Sequence, residues 1–429
     1  MTAIEHVPTA GPSHQHNSED HHDQHRHAVG PWPRLCSSRR EDSAPAPPHR
    51  RFGRLVGRCE LMAGVLVHEW IAQDGGSENV LQAMSETFPD AEVCCLWNDS
   101  TGRFDPSRVR ESWLARTPLR RHKALALPIM PVVWRSLPYR GYDWALISSH
   151  AFAHHARFRG APRGFRRMVY VHTPARYVWT RAFDARGDNP AARLVSHALR
   201  PLDRHRAHEG AEFAANSAFV RRRIRDAWGV DARVIYPPVN VERIQSVSDW
   251  RDRLDPAESA LLDALPAGFV LGASRFIPYK RLEDVIKVGE AIGRPVVLAG
   301  RGPSLPDLEA AAASASVPVH FVPAPSEALL YALYQRTALF VFPAVEDFGI
   351  MPVEAMAAGA PVLAQAEGGV AESVTPAVTG ALIGFTSAGE MREGAEVALA
   401  TARSDRLDRA KEFMAARFRE EVTAWVNER

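Results

Sequence analysis

Two glutamates flank a glycine and a proline in the stretch FPAVEDFGIMPVEAMAAGAPVLA, which covers residues 342–364. An apolar run precedes Glu346, and Glu354 falls in the first turn of a predicted helix. The backbone amides of residues 349–351 open that helix, where N–H groups lack intrahelical partners and bind anions. Two carboxylates beside an anion site suit a ligand that carries both phosphate and hydroxyl groups, such as a sugar nucleotide.

Two cations follow a second apolar run. Arg275 ends the run FVLGASR, and Lys280 comes five residues later. Two cations this close repel each other unless an anion lies between them, and a diphosphate would bind both. A solvated basic turn explains the same spacing equally well. Glu354 taken alone also has a simpler explanation, because a carboxylate near a helix start stabilises it by about 0.3–1 kcal/mol.

Two weaker signals come from the first half of the chain. Gly75 and Gly76, in DGGSENV, would allow a ligand to approach the backbone closely. His172, in VYVHTPARYVW, ends another apolar run. A lone histidine in such a place is more often structural, and glycine turns are common, so neither feature is specific by itself.

Alternating strands and helices must position all these residues. Apolar runs of strand type alternate with helical stretches in two successive series, separated by the two prolines of YPPVNVERI. The strand runs are 63–70, 91–97, 144–149, 167–173, 212–217 and 232–237, then 269–275, 295–302, 317–323, 338–344 and 360–365. The pattern predicts the α/β fold class, with two Rossmann-like doubly wound domains that face each other across a cleft. The domains are predicted at 62–237 and 238–410, and the helix at 411–429 is expected to cross back to the first domain.

Length and composition set the limits for the rest. The chain has 429 residues, 46% hydrophobic and 24% charged, which indicates a globular protein with more than one domain. The sequence contains no run of 18 or more uncharged apolar residues, so no membrane-spanning helix is predicted. The four cysteines show no metal-binding spacing and are interpreted as reduced thiols of a cytoplasmic protein.

The first 61 residues are rich in histidine and poor in apolar residues, so they are predicted to be disordered. No apolar segment follows their arginines, which argues against a secretory signal. Such a tract can bind metal. An unstructured tail, or an upstream extension ahead of Met62, explains it as well.

The first domain also contains a strongly basic stretch. Residues 103–167 contain fourteen arginines and lysines against three acidic residues, interleaved with Trp113, Trp134, Tyr139 and Trp144. Such a surface suits an anionic membrane that carries a lipid-linked substrate. A solvated basic face is the alternative. Nucleic acid is not an expected partner, because no recognition motif accompanies the charge.

The order of these stretches resembles the family 4 glycosyltransferases of the GT-B fold, from about residue 63 to the C-terminus. The segments that carry the resemblance are HEWIAQDGGSENV, YDWALISSHAFA, VYVHTPARYVWT, FAANSAFVRRRI, VIYPPVNVERI, ASRFIPYKRLEDVI, LAGRGP and FPAVEDFGIMPVEAMAAGAPVLA. Glu-x7-Glu together with Arg-x4-Lys is specific in combination. Within the family, VHTPARYVW and EDFGIMPVEA are most similar to bacterial O-antigen-type mannosyltransferases that use GDP-mannose.

The resemblance implies a role for each candidate residue. Those expected to act in the transfer itself are His172 near the transferred sugar, Arg275 and Lys280 on the diphosphate, and Glu346 on the sugar hydroxyls. The donor-binding set implied is Gly75, Gly76, Arg275, Lys280, Val322 in a segment with Pro323 that would line the base, Glu346, Gly349, Ile350, Met351 and Glu354 on the ribose.

The implied activity is that of a retaining hexosyltransferase, expected to move mannose from GDP-mannose. The acceptor would be lipid-linked or a polysaccharide, in cell-envelope glycan synthesis on the inner face of the plasma membrane. The leaving phosphate would help to deprotonate this acceptor. Two alternatives stay open: a sugar-nucleotide epimerase on the same fold, and a non-catalytic sugar-nucleotide-binding protein.

No metal cofactor is expected. The chain contains no Asp-x-Asp tripeptide of the kind that holds a divalent ion in many sugar-nucleotide transferases. Arg275, Lys280 and the helix start at residues 349–351 would supply the positive charge instead.

Overall fold

The computed structural model describes residues 63–73, 75–179 and 190–428. Every candidate site residue lies within these ranges. The histidine-rich tail, residues 1–61, lies outside the described residues.

The first domain is built on a parallel sheet. Its strands, in chain order, are β1 (Gly64–His68), β2 (Glu92–Cys95), β3 (Val109–Glu111), β4 (Leu137–Pro138), β5 (Trp144–Ser149), β6 (Phe158–Arg159), β7 (Arg166–Val171), β8 (Glu212–Ala215) and β9 (Arg233–Val234). Its helices are α1 (Gly76–Thr87), α2 (Lys123–Ala126), α3 (Met130–Val133), α4 (Arg176–Trp179), α5 (Pro190–Ala207) and α6 (Ala218–Trp228). Strands β4 and β6 pair separately, and the other seven form one sheet in the order β3-β2-β1-β5-β7-β8-β9.

The second domain repeats this plan. Its strands are β10 (Val270–Ala273), β11 (Val296–Gly300), β12 (Val319–Pro323), β13 (Leu339–Phe342), β14 (Val362–Gln365) and β15 (Gly380–Ile383), in the sheet order β12-β11-β10-β13-β14-β15. The helices that follow α6 are α7 (Val241–Gln245), α8 (Pro256–Ala264), α9 (Glu283–Ile292), α10 (Leu305–Ser314), α11 (Glu327–Arg336), α12 (Ile350–Ala357), α13 (Ala388–Leu399), α14 (Arg403–Lys411) and α15 (Ala415–Asn427). The predicted α/β fold with two Rossmann-like domains is confirmed.

Both sheets have a switch point, where successive strands begin to add on the opposite side. It lies between β1 and β5 in the first sheet and between β10 and β13 in the second. In doubly wound folds the helices diverge here, so a crevice forms at the carboxyl ends of the two strands. The fold therefore predicts where ligand-binding residues should lie in each domain.

Each sheet is buried on both faces. Val65 and Val67 of β1 pack into one hydrophobic cluster, while Leu66 packs into another on the opposite face. Val270 and Leu271 of β10 divide in the same way. Burial on both faces explains why these strands appear in the sequence as continuous apolar runs rather than as alternating patterns.

The C-terminal segment returns to the first domain, as predicted, but it is not one continuous helix. Helix α14 packs against the second domain, and the chain then turns at residues 412–414. There, Val239 N donates a hydrogen bond of 3.0 Å to Phe413 O, which joins the two crossing segments. Helix α15 buries Phe418, Val422 and Trp425 in the cluster of the first domain. The ring of Phe413 is held in the second domain, 5.5 Å from that of Phe348, which explains the break.

Candidate functional site

Glu346 lies in the loop between β13 and α12, on the switch point of the second sheet. The backbone of this loop is held by Gly368 and Gly369 from the segment after β14, and a β-carbon on Gly368 would lie 2.8 Å from Glu346 O. Gly369 N donates to Glu346 O at 2.8 Å, and a β-carbon on Gly369 would lie 2.1 Å from Asp347 O. No larger residue fits this contact, so the loop that carries Glu346 is fixed in position.

Lys280 contacts Glu346 directly. Its Nζ lies 2.5 Å from Glu346 Oε1, and both side chains are largely buried. Burial alone would raise the pKa of Glu346, but Lys280 and then Arg176 outweigh it and hold the pKa below its ordinary value. The carboxylate is therefore ionised at neutral pH. The sequence predicted a phosphate as the partner of Lys280, whereas the ligand-free structure gives it this carboxylate.

Arg176, which the sequence reasoning did not assign, connects the first domain to this loop. From α4 it lies 3.5 Å from Glu346 Oε2, and its Nε donates to Asp347 Oδ2 at 3.1 Å. Burial lowers the pKa of Arg176, but the two carboxylates reverse the effect and raise it. Arg223 of α6 also pairs with Asp347. These ion pairs connect the first domain to the loop that carries Glu346.

Arg275 behaves differently from Lys280. It follows β10 at the same switch point, but its side chain is exposed. Within the described part of the chain, none of the hydrogen bonds or ion pairs involves its guanidinium group. Of the two predicted diphosphate-binding cations, one is held by a carboxylate and the other is open to a ligand.

The start of α12 has the anion-binding character that the sequence predicted. Gly349 precedes it with φ 88°, a conformation that favours glycine, and no side chain caps the helix. The amides of Gly349, Ile350 and Met351 therefore remain available. A β-carbon on Gly76 would lie 3.4 Å from Ile350 Cδ1, so the glycine turn at Gly75 and Gly76 contacts this helix start from the first domain.

Glu354 is placed one turn later than expected. Because α12 begins at Ile350, Glu354 opens the second turn, and the first turn contains no acidic residue. A role in complementing the helix dipole is correspondingly weaker. The side chain is half-buried, and burial, with a smaller contribution from Glu327, raises its pKa to about 7. Glu354 therefore changes charge near neutral pH.

Val322 does not present its side chain to a ligand. It lies in β12 with 1% of its surface exposed, inside the hydrophobic core of the second domain. Strand alternation turns it inward, whereas the next residue, Pro323, is exposed. The base contact expected of the segment around Val322 and Pro323 would therefore come from Pro323 or the backbone rather than from the Val322 side chain.

His172 follows β7 and belongs to a hydrogen-bonded chain of side chains. Its Nε2 lies 2.8 Å from Ser148 Oγ, which lies 3.0 Å from His68 Nδ1. Burial, together with the nearby His150, lowers the pKa of His172 to about 3. The imidazole is therefore neutral at physiological pH and can act as a hydrogen-bonding group rather than as a cation.

Two groups of side chains in the described ranges have the composition of metal sites. They are His68, Glu69 and His150, and His154, His155 and Asp203. In the second group, Asp203 Oδ2 accepts hydrogen bonds of 2.7 Å from the indoles of Trp179 and Trp228. Its Oδ1 lies 2.9 Å from His155 Nε2. This carboxylate already has its hydrogen-bond partners, so the second group is a structural network.

Comparison with known proteins gives a separate family match for each of the two domains. Residues 74–243 match the family described as Glycosyltransferase Family 4, and residues 264–412 match Glycosyl transferases group 1. A D-inositol 3-phosphate glycosyltransferase from Salinispora tropica is 31% identical over 177 residues, which cover 37% of this chain and 36% of that protein. The match thus spans about a third of the length of this curated relative.

Solved structures show the same fold over nearly all of their length. The HepE protein of Anabaena in complex with UDP-glucose has a TM-score of 0.60 at 17% identity, covering 85% of this chain and 99% of that one. Sucrose-phosphate synthase from Thermosynechococcus elongatus has a TM-score of 0.61 at 18% identity, covering 85% and 98%. At these identities the likeness concerns the fold. By sequence, the first domain thus matches a glycosyltransferase family 4 model and the second a glycosyl transferases group 1 model, and the fold of the two domains is the GT-B fold.

Proposed function

We propose that this protein transfers a sugar from a nucleotide-sugar donor to a hydroxyl group of an acceptor. The observation that carries the proposal is the arrangement of Lys280, Glu346 and Arg176 beside the uncapped start of α12. It provides a buried carboxylate for sugar hydroxyls, two cations that hold it, and free amides for phosphate. All of these groups lie at the switch point between β10 and β13.

Donor binding is then an exchange of partners. Lys280 leaves Glu346 and binds the donor diphosphate, and the exposed side chain of Arg275 binds the same diphosphate. The released Glu346 accepts hydrogen bonds from the sugar hydroxyls while Arg176 continues to orient it. As the bond between sugar and phosphate breaks, the cations and the α12 amides stabilise the negative charge on the leaving diphosphate. Glu354 binds the ribose, and His172 lies near the sugar.

The sugar, the donor, the stereochemistry and the acceptor are proposed from the resemblance to O-antigen-type mannosyltransferases. We propose mannose as the sugar, GDP-mannose as the donor, retention at the anomeric carbon, and a lipid-linked or polysaccharide acceptor in cell-envelope glycan synthesis. HepE was solved with UDP-glucose, which makes this the natural competing donor.

The acceptor side is proposed to contact an anionic membrane from the cytoplasm. Among the described residues, no helix combines the length and apolar character needed to cross a bilayer. Trp113, Leu125 and Val132 are 49%, 64% and 64% exposed, in a segment with no acidic residue between Glu111 and Asp143. Exposed apolar side chains on a basic segment support peripheral contact. Failure to sediment with phosphatidylglycerol vesicles would contradict it.

A donor panel tests the function. Because a ligand that binds the native state stabilises it, GDP-mannose is expected to raise the melting temperature more than UDP-glucose does. Product analysis by mass spectrometry should show sugar transferred to an acceptor or released to water. Binding without either product would favour the non-catalytic alternative, and a new nucleotide sugar would favour the epimerase.

Replacing Lys280 by alanine should lower turnover on the order of 10²-fold, because a preorganised positive group at the leaving diphosphate is lost. Lys287→Ala is the matched control, since Lys287 is 56% exposed and pairs with Asp284 on α9. Initial rates at saturating donor measure the effect. Equal turnover of the two variants would remove Lys280 from the site.

Transfer should not depend on a divalent metal ion. Lys280, Arg275 and the α12 amides supply positive charge that needs no reorganisation during the reaction. We expect unchanged rates after EDTA treatment and no stimulation by magnesium or manganese. Activity lost with EDTA and restored by manganese would contradict this charge assignment.

Donor affinity should increase between pH 6 and pH 8 because of Glu354. With a pKa of about 7, its carboxyl group is mostly protonated at pH 6 and mostly ionised at pH 8, where it accepts both ribose hydroxyls. Linkage limits the gain to about tenfold. The titration should use intact GDP-mannose rather than GDP, because the terminal phosphate of GDP itself changes charge in this pH range. Glu354→Gln should bind with little dependence on pH, and an unchanged pH dependence in that variant would assign the effect to another group.

A further inference from the structure

The group formed by His68, Glu69 and His150 differs from the network around Asp203 in its carboxylate. Both oxygens of Asp203 have hydrogen-bond partners, whereas Glu69 Oε2 has none among the described residues. His68 Nε2 and His150 Nδ1 are also among the buried atoms that lack a partner there. Each of the three residues offers one ligand atom, and these ligand atoms all lie within 4.8 Å of one another. A buried polar atom without a partner costs about 1–3 kcal/mol, so this group calls for a ligand.

The carboxylate of Glu69 is held in place by one oxygen alone. Its Oε1 accepts hydrogen bonds from the amides of His150, Ala151 and Ala153 at 3.1, 2.8 and 2.9 Å, and from Ser149 Oγ at 3.2 Å. The side chain is completely buried, and none of the ion pairs of the described residues joins it to a lysine or an arginine. Buried carboxylates are normally paired with a cation or bound to a metal ion. The open Oε2 therefore indicates a position for a cation.

His68 is held in the same way through its other ring nitrogen. Its Nδ1 lies 3.0 Å from Ser148 Oγ, which lies 2.8 Å from His172 Nε2. A hydroxyl donates only one hydrogen, so both contacts are satisfied when His68 Nδ1 donates to Ser148 and Ser148 donates to His172. This tautomer leaves a lone pair on His68 Nε2. A hydrogen bond from the second ring nitrogen is the usual support of a metal-binding histidine.

His150 gives the group access from outside. Its side chain is 20% exposed, whereas His68 and Glu69 are fully buried. Its Nδ1 lies 3.3 Å from Glu69 Oε2 without forming a hydrogen bond. Two atoms that bind one zinc ion in tetrahedral geometry, at about 2.0–2.1 Å each, are about 3.3–3.4 Å apart. The pair already has the spacing of two zinc ligands, and the partly exposed ring of His150 is the one that can adjust to an ion.

The position of the group is that of a ligand site. Glu69 follows β1 and His150 follows β5, so the two residues lie on either side of the switch point of the first sheet. The ring of His150 is 5.4 Å from that of His68 and 6.2 Å from that of His172. An ion bound here would therefore lie close to the histidine that is proposed to lie near the transferred sugar.

We propose that His68, Glu69 and His150 bind one zinc ion, and that the bound ion inhibits sugar transfer. Two imidazoles and one carboxylate are zinc ligands that leave the fourth position to water, whereas magnesium and calcium take oxygen ligands. The metal site does not depend on the proposed function, but its inhibitory effect rests on it. The zinc-free protein is the active form, in keeping with a transfer that needs no metal.

Inhibition follows from the place that the ion takes. Zinc and its water would fill the crevice beside His172, so an acceptor hydroxyl could not approach there. The donor is proposed to be held by groups of the second domain, Lys280 and the α12 amides among them. Zinc should therefore raise the KM for the acceptor and leave the affinity for the donor nearly unchanged.

The first measurement is zinc affinity, by competition with a chromogenic chelator. Because the histidine-rich tail can bind metal too, all variants are compared in the full chain. We expect Glu69→Gln and His150→Gln to lose one zinc equivalent, with affinity lower on the order of 10²-fold or more, and Ser148→Ala to bind about 10–100-fold more weakly. His205→Gln, whose side chain is exposed on α5, should match the wild type.

Cobalt(II) separates this site from the tail, because it occupies zinc sites and its visible absorption is strong only in four-coordinate geometry. The absorption should appear in the wild type and in His205→Gln, and be lost in Glu69→Gln and His150→Gln. Melting temperatures of the metal-free proteins show whether each variant folds. If Glu69→Gln proves unstable because its amide contacts change, His150→Gln still decides the question, since its ring is partly exposed.

The second measurement is transfer from GDP-mannose to octyl α-mannoside, with and without zinc. Zinc should raise the acceptor KM in the wild type and in His205→Gln, and a chelator should reverse the effect. In His150→Gln, zinc should change the acceptor KM little, whatever the basal rate of that variant.

Each outcome has a distinct meaning. Equal zinc affinity and equal cobalt absorption in the wild type and in both ligand variants would overturn the metal site. Zinc bound at the site without any change in acceptor KM would overturn the inhibition alone. A zinc-free wild type that transfers no sugar would contradict the proposed function, while the binding measurements would still decide whether the site exists.

Discussion

The buried carboxylates of Glu346 and Asp347 control how the two domains meet. A buried charge is tolerated only when it is paired, and removing one partner of such a pair typically costs 3–5 kcal/mol. Glu346 is paired from its own domain by Lys280 and from the first domain by Arg176, while Asp347 is paired by Arg176 and Arg223. Arg176 and Arg223 therefore stabilise the contact of the first domain with this loop, while Lys280 holds Glu346 from within the second domain.

A second contact between the domains uses the same principle with a different donor. Glu372 of the second domain accepts hydrogen bonds from the amides of Ala218 and Phe219, at 2.7 and 2.8 Å, and so caps the start of α6. A carboxylate at a helix N-terminus is favoured by the unpaired amides and the helix dipole. Glu372 lies just after Gly369, which fixes the Glu346 loop. The closed arrangement and the position of Glu346 are thus set by neighbouring residues of one segment.

How much of this could be predicted from the sequence depends on the distance over which each interaction acts. Continuous apolar runs identified the central strands, but β3, β4, β6 and β15 were missed, because the first three have only two or three residues each and β15 lies in a region with no distinct pattern. The helix start at Ile350 depends on the backbone of Gly349, so the turn in which Glu354 lies was misplaced by one. Arg176 and Asp347 are 171 residues apart in the chain, and no spacing rule links them. Glu69 and His150 are 81 residues apart, and only the strand order brings them together.

The two switch points contain groups of contrasting charge, and this contrast follows the proposed division of the reaction. The second domain presents cations and helix amides, which stabilise a leaving group as it becomes more negative. The first domain presents neutral imidazoles and one carboxylate held away from the surface by backbone amides. Such a surface suits an uncharged hydroxyl, since a cation there would instead attract the diphosphate. Cations and helix amides thus lie at the second switch point and neutral imidazoles at the first, which fits the proposed transfer from an anionic donor to a neutral hydroxyl.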